Sequence, residues 1–295
     1  MKLVTTFISV LAFPSTFRAD SYQHFVQGDN LSSDTIPTLL DETSNNRVVQ
    51  VKNVLPKSTS SNDIRTPLEK TGIVPIGMKT YVAGLRTTVD GTNFCSASLI
   101  SPIHLLAGTS CTLEDIRWAS IGSHYVNGTQ DGEQIKVVAI LTHPKSLRRG
   151  FTYDFAVLVL KKPSKFTPVA LAKSDDSDVT DGEWAVTMGW DDDEGLSQMG
   201  YELFRSNVQL MSNSNCAKET KVTESLLCSR GAASQTSCSG EYSGPVVVER
   251  SSGDVIVGLV TWGDDCDKPG YPSIYSRVSI ARAWIDSVIN GVCFH

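Results

Sequence analysis

From Thr80 onward, short apolar runs alternate with clusters of Gly, Asn, Asp and Pro: Gln134 to Leu141, Phe155 to Leu160, Trp184 to Trp190, Pro245 to Val248 and Val255 to Trp262. Runs this short, bounded by turn residues and without helical periodicity between them, predict many strands packed as an all-β sandwich or barrel. Only the end of the chain is spaced like a helix. There Ile280, Ala283, Trp284, Val288 and Ile289 recur at helical spacing before Gly291, and Ser279 is placed to cap. The expected helix covers 279–290, with a structural role. Asp20 to Lys70 is different: rich in Ser, Asn, Asp and Thr, with scattered apolar residues. Such a stretch cannot bury enough surface to order itself, so 20–72 reads as a disordered leader resembling a propeptide. Ahead of it, Lys2 and the apolar run Leu3 to Phe13 are too short to span a bilayer and have the shape of a secretory signal over 1–19. Its cleavage point is poorly defined, because Phe17 is bulky if Ala19 is the last residue removed.

Composition narrows the partners more than the fold. The chain is 40% hydrophobic and 20% charged, as ordinary soluble domains are, and its net charge of −6 argues against nucleic acid or an anionic membrane. A neutral or basic partner is expected. No later run of about 18 apolar residues exists to cross a bilayer, so the mature chain is expected to be soluble and extracellular. Seven cysteines fit that compartment, and an odd number leaves one over. Sequons at Asn30 and Asn127 are candidates for glycosylation. His104, His124 and His143 lie apart, without metal-ligand spacing, so no metal and no cofactor are implied. The densest acidic run, Asp191 to Glu194, reads as a solvated loop; as a handle on a basic partner it would mainly speed association.

Three blocks carry candidate chemistry, in this order: Phe94-Cys95 through Ser110-Cys111, Tyr153-Asp154-Phe155-Ala156, and Cys238-Ser239-Gly240-Glu241-Tyr242-Ser243-Gly244-Pro245. They resemble the histidine, aspartate and serine segments of chymotrypsin-like serine proteases, whose chain order is the same. Thr261-Trp262-Gly263, resembling the strand along the substrate cleft, and Tyr271 to Val278, resembling the last strand, extend the likeness over roughly Ile73 to Gly291. The resemblance implies a double six-stranded antiparallel β-barrel with a C-terminal helix: barrel one about 73–175, barrel two about 176–278, within a domain spanning 73–295. It also exposes what is missing. Ser110 stands at the position of the general base and Tyr242 at that of the nucleophile, while Asp154 and the oxyanion glycine Gly240 are kept. A hydroxyl has no useful basicity near neutral pH, so Ser110 cannot take a proton as imidazole does. Ser243, beside the lost nucleophile, matches a family glycine and should point elsewhere. Asp154 is expected to persist as a relic that hydrogen-bonds Ser110 or backbone.

The activation machinery has drifted as well. The family's Ile-Val-Gly-Gly terminus corresponds to Ile73-Val74-Pro75-Ile76, and its carboxylate partner to Glu241. Thr236 stands at the charge-reading base of the specificity pocket and Ser273 at a pocket-wall glycine, so preference for Arg or Lys is not encoded. By the same resemblance Cys95–Cys111, Cys216–Cys228 and Cys238–Cys266 pair, leaving Cys293 over.

Within the superfamily, Ile121 to Tyr125, Asn127 to Gln134, Tyr153 to Ala156 and Lys162 to Phe166 resemble the glucanase inhibitor proteins of Phytophthora-type oomycetes. That likeness implies a secreted, inactive protease homologue in the host apoplast whose partner is an extracellular plant endo-β-1,3-glucanase. It is a virulence effector in this reading, not an enzyme. Two other functions remain open on sequence alone: a residual or unusual serine endopeptidase, and a decoy that binds protease inhibitors. A fluorogenic peptide panel addresses the first, and pull-down from apoplastic fluid separates the second from glucanase binding.

Overall fold

The structure, a computed structural model, describes residues 72–147, 152–190, 199–230, 242–261 and 270–291. The signal-like segment, the leader up to residue 71, Asn30, Asp191 to Glu194, Thr236, Cys238, Gly240, Glu241, Trp262, Gly263, Cys266 and Cys293 lie outside the described residues.

Six strands form the first barrel: β2 (Val82–Arg86), β3 (Cys95–Ser101), β4 (His104–Ala107), β5 (Trp118–Ile121), β6 (Glu133–Thr142) and β7 (Ala156–Leu160), introduced after the short β1 (Gly72–Ile73). They close in the order β2-β3-β4-β7-β6-β5. Closure removes the sheet edges and leaves one inward face per strand, which Leu85, Ala97, Leu99, Leu105, Ile121, Ile135 and Leu158 fill. The short β8 (Ala170–Leu171) then leads to the second barrel. That barrel comprises β9 (Trp184–Gly189), β10 (Phe204–Met211), β11 (Leu226–Arg230), β12 (Pro245–Arg250), β13 (Gly253–Thr261) and β14 (Ser273–Arg277). The ring runs β10-β11-β14-β13-β12-β9 and returns to β10. All its internal pairs are antiparallel, while β8 adds to β13 in parallel. The fold is therefore all-β and chymotrypsin-like, with two closed six-stranded antiparallel barrels.

The helices depart from the sequence pattern in two places. One turn, α1 (Asn213–Cys216), carries no amphipathic signature; its cysteine is tied to β11 by Cys216–Cys228. The terminal helix α2 spans Val278–Ile289, starting one residue earlier than the pattern indicates. Arg277 occupies the N-cap without a side-chain cap, and Ser279, expected to cap, donates its hydroxyl to Asp176 at 2.6 Å. The carboxylate on the inter-barrel connection competes successfully for that hydroxyl. No helix among the described residues is long and apolar enough to cross a membrane.

Charge ties the barrels together. The Lys79 ammonium, just before β2, lies 2.6 Å from Glu249 and 2.7 Å from Asp254, on β12 and β13. Arg205 of β10, only 2% exposed, reaches the other oxygen of Glu249 at 2.8 Å, and the Tyr81 hydroxyl donates to Asp254 at 2.7 Å. A second seam is aromatic: His143 stacks on Tyr153 at 4.8 Å and meets Trp284 of α2 edge-on at 4.9 Å. Burial, then the charge of Lys145, pushes the His143 pKa down, and its Nδ1 accepts the Lys145 N–H, as a neutral ring does.

Candidate functional site

The first two blocks meet where β4 ends and β7 begins. Leaving β4, the chain makes a short 3-10 turn over Thr109–Leu113, pinned to β3 by the Cys95–Cys111 bridge, with Cα atoms 6.1 Å apart. That turn brings Ser110 over Asp154. The Ser110 amide donates to one carboxylate oxygen and its hydroxyl to the other, each at 2.9 Å. Thr109 anchors the turn by donating to the Phe155 carbonyl at 2.7 Å. Asp154 itself is 4% exposed, and it follows Tyr153, whose φ of 52° is an unusual conformation for a bulky residue. The His143 stack and the Tyr153 hydroxyl bond to Glu224 at 3.3 Å hold that conformation.

The third block enters from the second barrel. Tyr242 is half-buried, packs its side chain against the core, and its carbonyl accepts the Ser96 N–H at 3.0 Å. Ser243 follows with φ of 69°, in the left-handed region that favours glycine. Its hydroxyl is buried and accepts the Gly108 N–H at 2.6 Å, while its own N–H donates to Val260. The hydroxyl next to Tyr242 therefore serves as an inter-barrel tie. Gly108 is close to its limit: an added Cβ would stand 3.0 Å from both Asp154 and Ser110. Among the described residues, then, the centre contains a serine, a carboxylate and a phenol, with no imidazole.

Burial raises the Asp154 pKa above the usual carboxylate value, against the opposing pull of hydrogen bonds from Ser110 and Thr109. With the folded value above the unfolded one, the native state binds the proton more tightly. Its stability falls as pH rises from the ordinary carboxylate value to the raised one. Asp154→Asn keeps an acceptor for the Ser110 N–H and a donor for its hydroxyl without a buried charge. We expect the variant to match or exceed wild type at pH 7 by on the order of 1 kcal/mol, the size of one hydrogen-bond exchange, and to lose this advantage at pH 3. Urea titrations at both pH values read the difference; a pH-independent difference, or a loss at pH 7, contradicts it.

The remaining sequence candidates lie apart. Asn127 is half-buried on the loop before β6, and its Oδ1 accepts the Thr129 hydroxyl at 3.1 Å. Ser273 opens β14. His104 bonds the Ser101 hydroxyl at 2.7 Å and His124 bonds Glu202 at 2.8 Å, so each imidazole has its own local partner. No group of three or more His, Cys, Asp or Glu among the described residues could hold a metal. Motif reading misses the seam of His143, Tyr153 and Trp284 and the network around Glu249, because each draws single residues from distant segments.

Two barrels meeting at a centre of this geometry define a trypsin-like protein, and the family model for Trypsin matches residues 74–285. The chain belongs to the trypsin family. It is 43% identical over 229 residues to glucanase inhibitor protein 2 of Phytophthora infestans, an alignment covering 75% of this chain and 88% of that protein. It is 44% identical over 226 residues to glucanase inhibitor protein 3 of the same organism, covering 74% and 87%. To glucanase inhibitor protein 2 of Phytophthora sojae it is 41% identical over 227 residues, covering 74% and 77%.

Proposed function

We propose that this chain is a secreted, catalytically inactive trypsin homologue that binds and inhibits an extracellular endo-β-1,3-glucanase of a host plant, and so limits release of defence-eliciting glucan oligosaccharides. The observation that carries the reading is the Ser110–Asp154 pair. The scaffold still positions the carboxylate at 2.9 Å from its neighbour, but that neighbour cannot accept a proton and Tyr242 fills the nucleophile's place. A stable fold kept without its chemistry suits a binding role, and its relatives are named as glucanase inhibitors. The bridges Cys95–Cys111 and Cys216–Cys228 suit an oxidising compartment. Disulfide-tied barrels present loops with little ordering cost on association, and a standard interface of about 1,600 Å² is enough to cover an enzyme cleft.

The test is laminarin hydrolysis by a panel of apoplastic endo-β-1,3-glucanases titrated with the purified protein, alongside co-precipitation. Saturable inhibition with a one-to-one complex is expected for at least one panel member. Absence of both inhibition and complex across the panel removes the glucanase assignment and leaves the fold standing.

A further inference from the structure

One loop outside the dismantled centre is built with unusual care. Residues 123–134, the loop after β5 and the first two residues of β6, wrap the guanidinium of Arg86, which is wholly buried. Its Nε donates to Asn93 at 2.8 Å, and its Nη1 donates to the Gln134 side chain at 3.1 Å and the Val89 carbonyl at 3.2 Å. Nη2 has no acceptor among the described residues and lies against Gly128, where an added Cβ would fall on it. Gln134 returns its amide to the carbonyls of Gly128 and Asp131, while Asp131 accepts the Ser123 hydroxyl and the His124 N–H, each at 2.7 Å. Gly132, at φ of 68°, has backbone 2.6 Å from where a Cβ would stand, so only glycine fits. A buried cation with an open hydrogen is costly to keep. Here it fixes a loop whose residues 123–132 belong to no strand or helix.

The outer side of this loop is clasped to the second barrel. Val126 donates to the Tyr201 carbonyl at 2.9 Å and Leu203 to the His124 carbonyl at 2.7 Å, making a short bridge between the barrels. The indole of Trp190 donates to the same His124 carbonyl, and the Gln130 amide donates to the Tyr201 hydroxyl. The result is a ridge with the rings of Tyr125 and Tyr201 5.2 Å apart, Tyr201 43% exposed, and Thr129 and Gln130 exposed beside them. Neither 123–134 nor 199–203 contains Lys or Arg, and together they contain Asp131, Glu133 and Glu202.

We infer that this ridge, stiffened from within by Arg86, is the surface that docks the glucanase, meeting a basic patch of that enzyme. The inference rests on the glucanase reading. Tyrosines fixed at the centre of a rigid surface are the usual source of interface energy, because they lose little freedom on binding. A partner arginine or lysine can lie over the exposed Tyr201 ring while pairing with Glu202. Arg86 contributes by position only: it touches the loop and not the partner.

The experiment measures inhibition constants on laminarin for wild type, Tyr201→Ala, Gln130→Ala, Arg86→Met and, as a control on the second barrel, Trp184→Ala, with melting curves for each. Tyr201→Ala is expected to weaken inhibition by about thirtyfold, the range of an interface hot spot, with an unchanged melting temperature; Trp184→Ala is expected to inhibit as wild type does. Arg86→Met should weaken inhibition chiefly through faster dissociation. Wild-type association should slow as salt rises from 50 to 500 mM, a range in which exposed charges become screened. If wild type inhibits and Tyr201→Ala and Gln130→Ala inhibit equally well, the ridge is wrong and the glucanase reading stands. If wild type inhibits no glucanase, both fall. Full glycan occupancy of Asn127 in protein that still inhibits also overturns the ridge, since that glycan would stand on it.

Discussion

The purified protein is expected to show no labelling by a serine-reactive fluorophosphonate and no release from a fluorogenic peptide panel above buffer. In subtilisin, an unrelated fold that uses a serine and a histidine, removing either lowers turnover by about six orders of magnitude; by the resemblance, Tyr242 and Ser110 stand at those two positions here. Ser243 offers no rescue. Its hydroxyl is buried and bound to Gly108 at 2.6 Å, and reaching a substrate would break a tie between the barrels. Tyr242→Ser alone should change nothing, because Ser110 cannot relieve a new nucleophile of its proton. Tyr242→Ser with Ser110→His should give at most weak activity. Gly72–Ile73 is paired as a strand to β10, the Val74 N–H donates to Leu203 at 2.8 Å, and Ile73 is 49% exposed, so an amine freed there would have to leave the sheet before reaching any buried carboxylate. Stoichiometric labelling of the wild-type chain contradicts the first expectation; turnover typical of an active trypsin in the double variant contradicts the second.

Glu249→Ala is expected to lower unfolding free energy by about 2 kcal/mol at pH 7, below the usual cost of breaking a fully buried pair because the carboxylate retains some solvent. Burial pushes the Glu249 pKa up, but hydrogen bonds and charge from Lys79 and Arg205 outweigh it and hold the carboxyl below its ordinary value. A carboxyl with a depressed folded pKa stabilises the native state above its unfolded value and loses that contribution as pH falls through the folded one. The gap between wild type and variant should therefore be full at pH 7 and narrow below about pH 4.5, the ordinary value for this side chain. Urea midpoints across that range decide it. An equal gap at pH 7 and pH 3 would mean the loss comes from packing and not from charge. Glu249→Gln, which keeps the shape, separates the two independently.

Much of this protein is legible in the chain itself. Barrel strands are recognisable because each is a short segment that must bury apolar side chains, so Phe155 to Leu160 and Pro245 to Val248 stand out as short unbroken apolar runs between turn residues. The proposed replacements at Ser110 and Tyr242 rest on a related pattern: each position sits inside a compact block whose neighbours, Cys111 in one case and Gly244-Pro245 in the other, match the family. Short-range pattern also set the approximate extent of α2, but not its cap. Which acceptor a serine hydroxyl finds depends on what the fold brings near, and here that is Asp176, 103 positions away in sequence. The same reason governs Lys79 with Asp254, Gly108 with Ser243, and Arg86 with Gln134. Each pair joins polar groups, a backbone N–H in the case of Gly108, that have no periodic signature in their own segments, and the partners are chosen by barrel closure and strand register, which bring distant positions within 3 Å or so. Sequence by itself determined the fold class and carries the proposal that the chemistry is lost, because both rest on adjacent residues. Only the tertiary structure decided where buried charge is held and which loop it stiffens, because a buried ion is stable only where several chain segments converge to satisfy it.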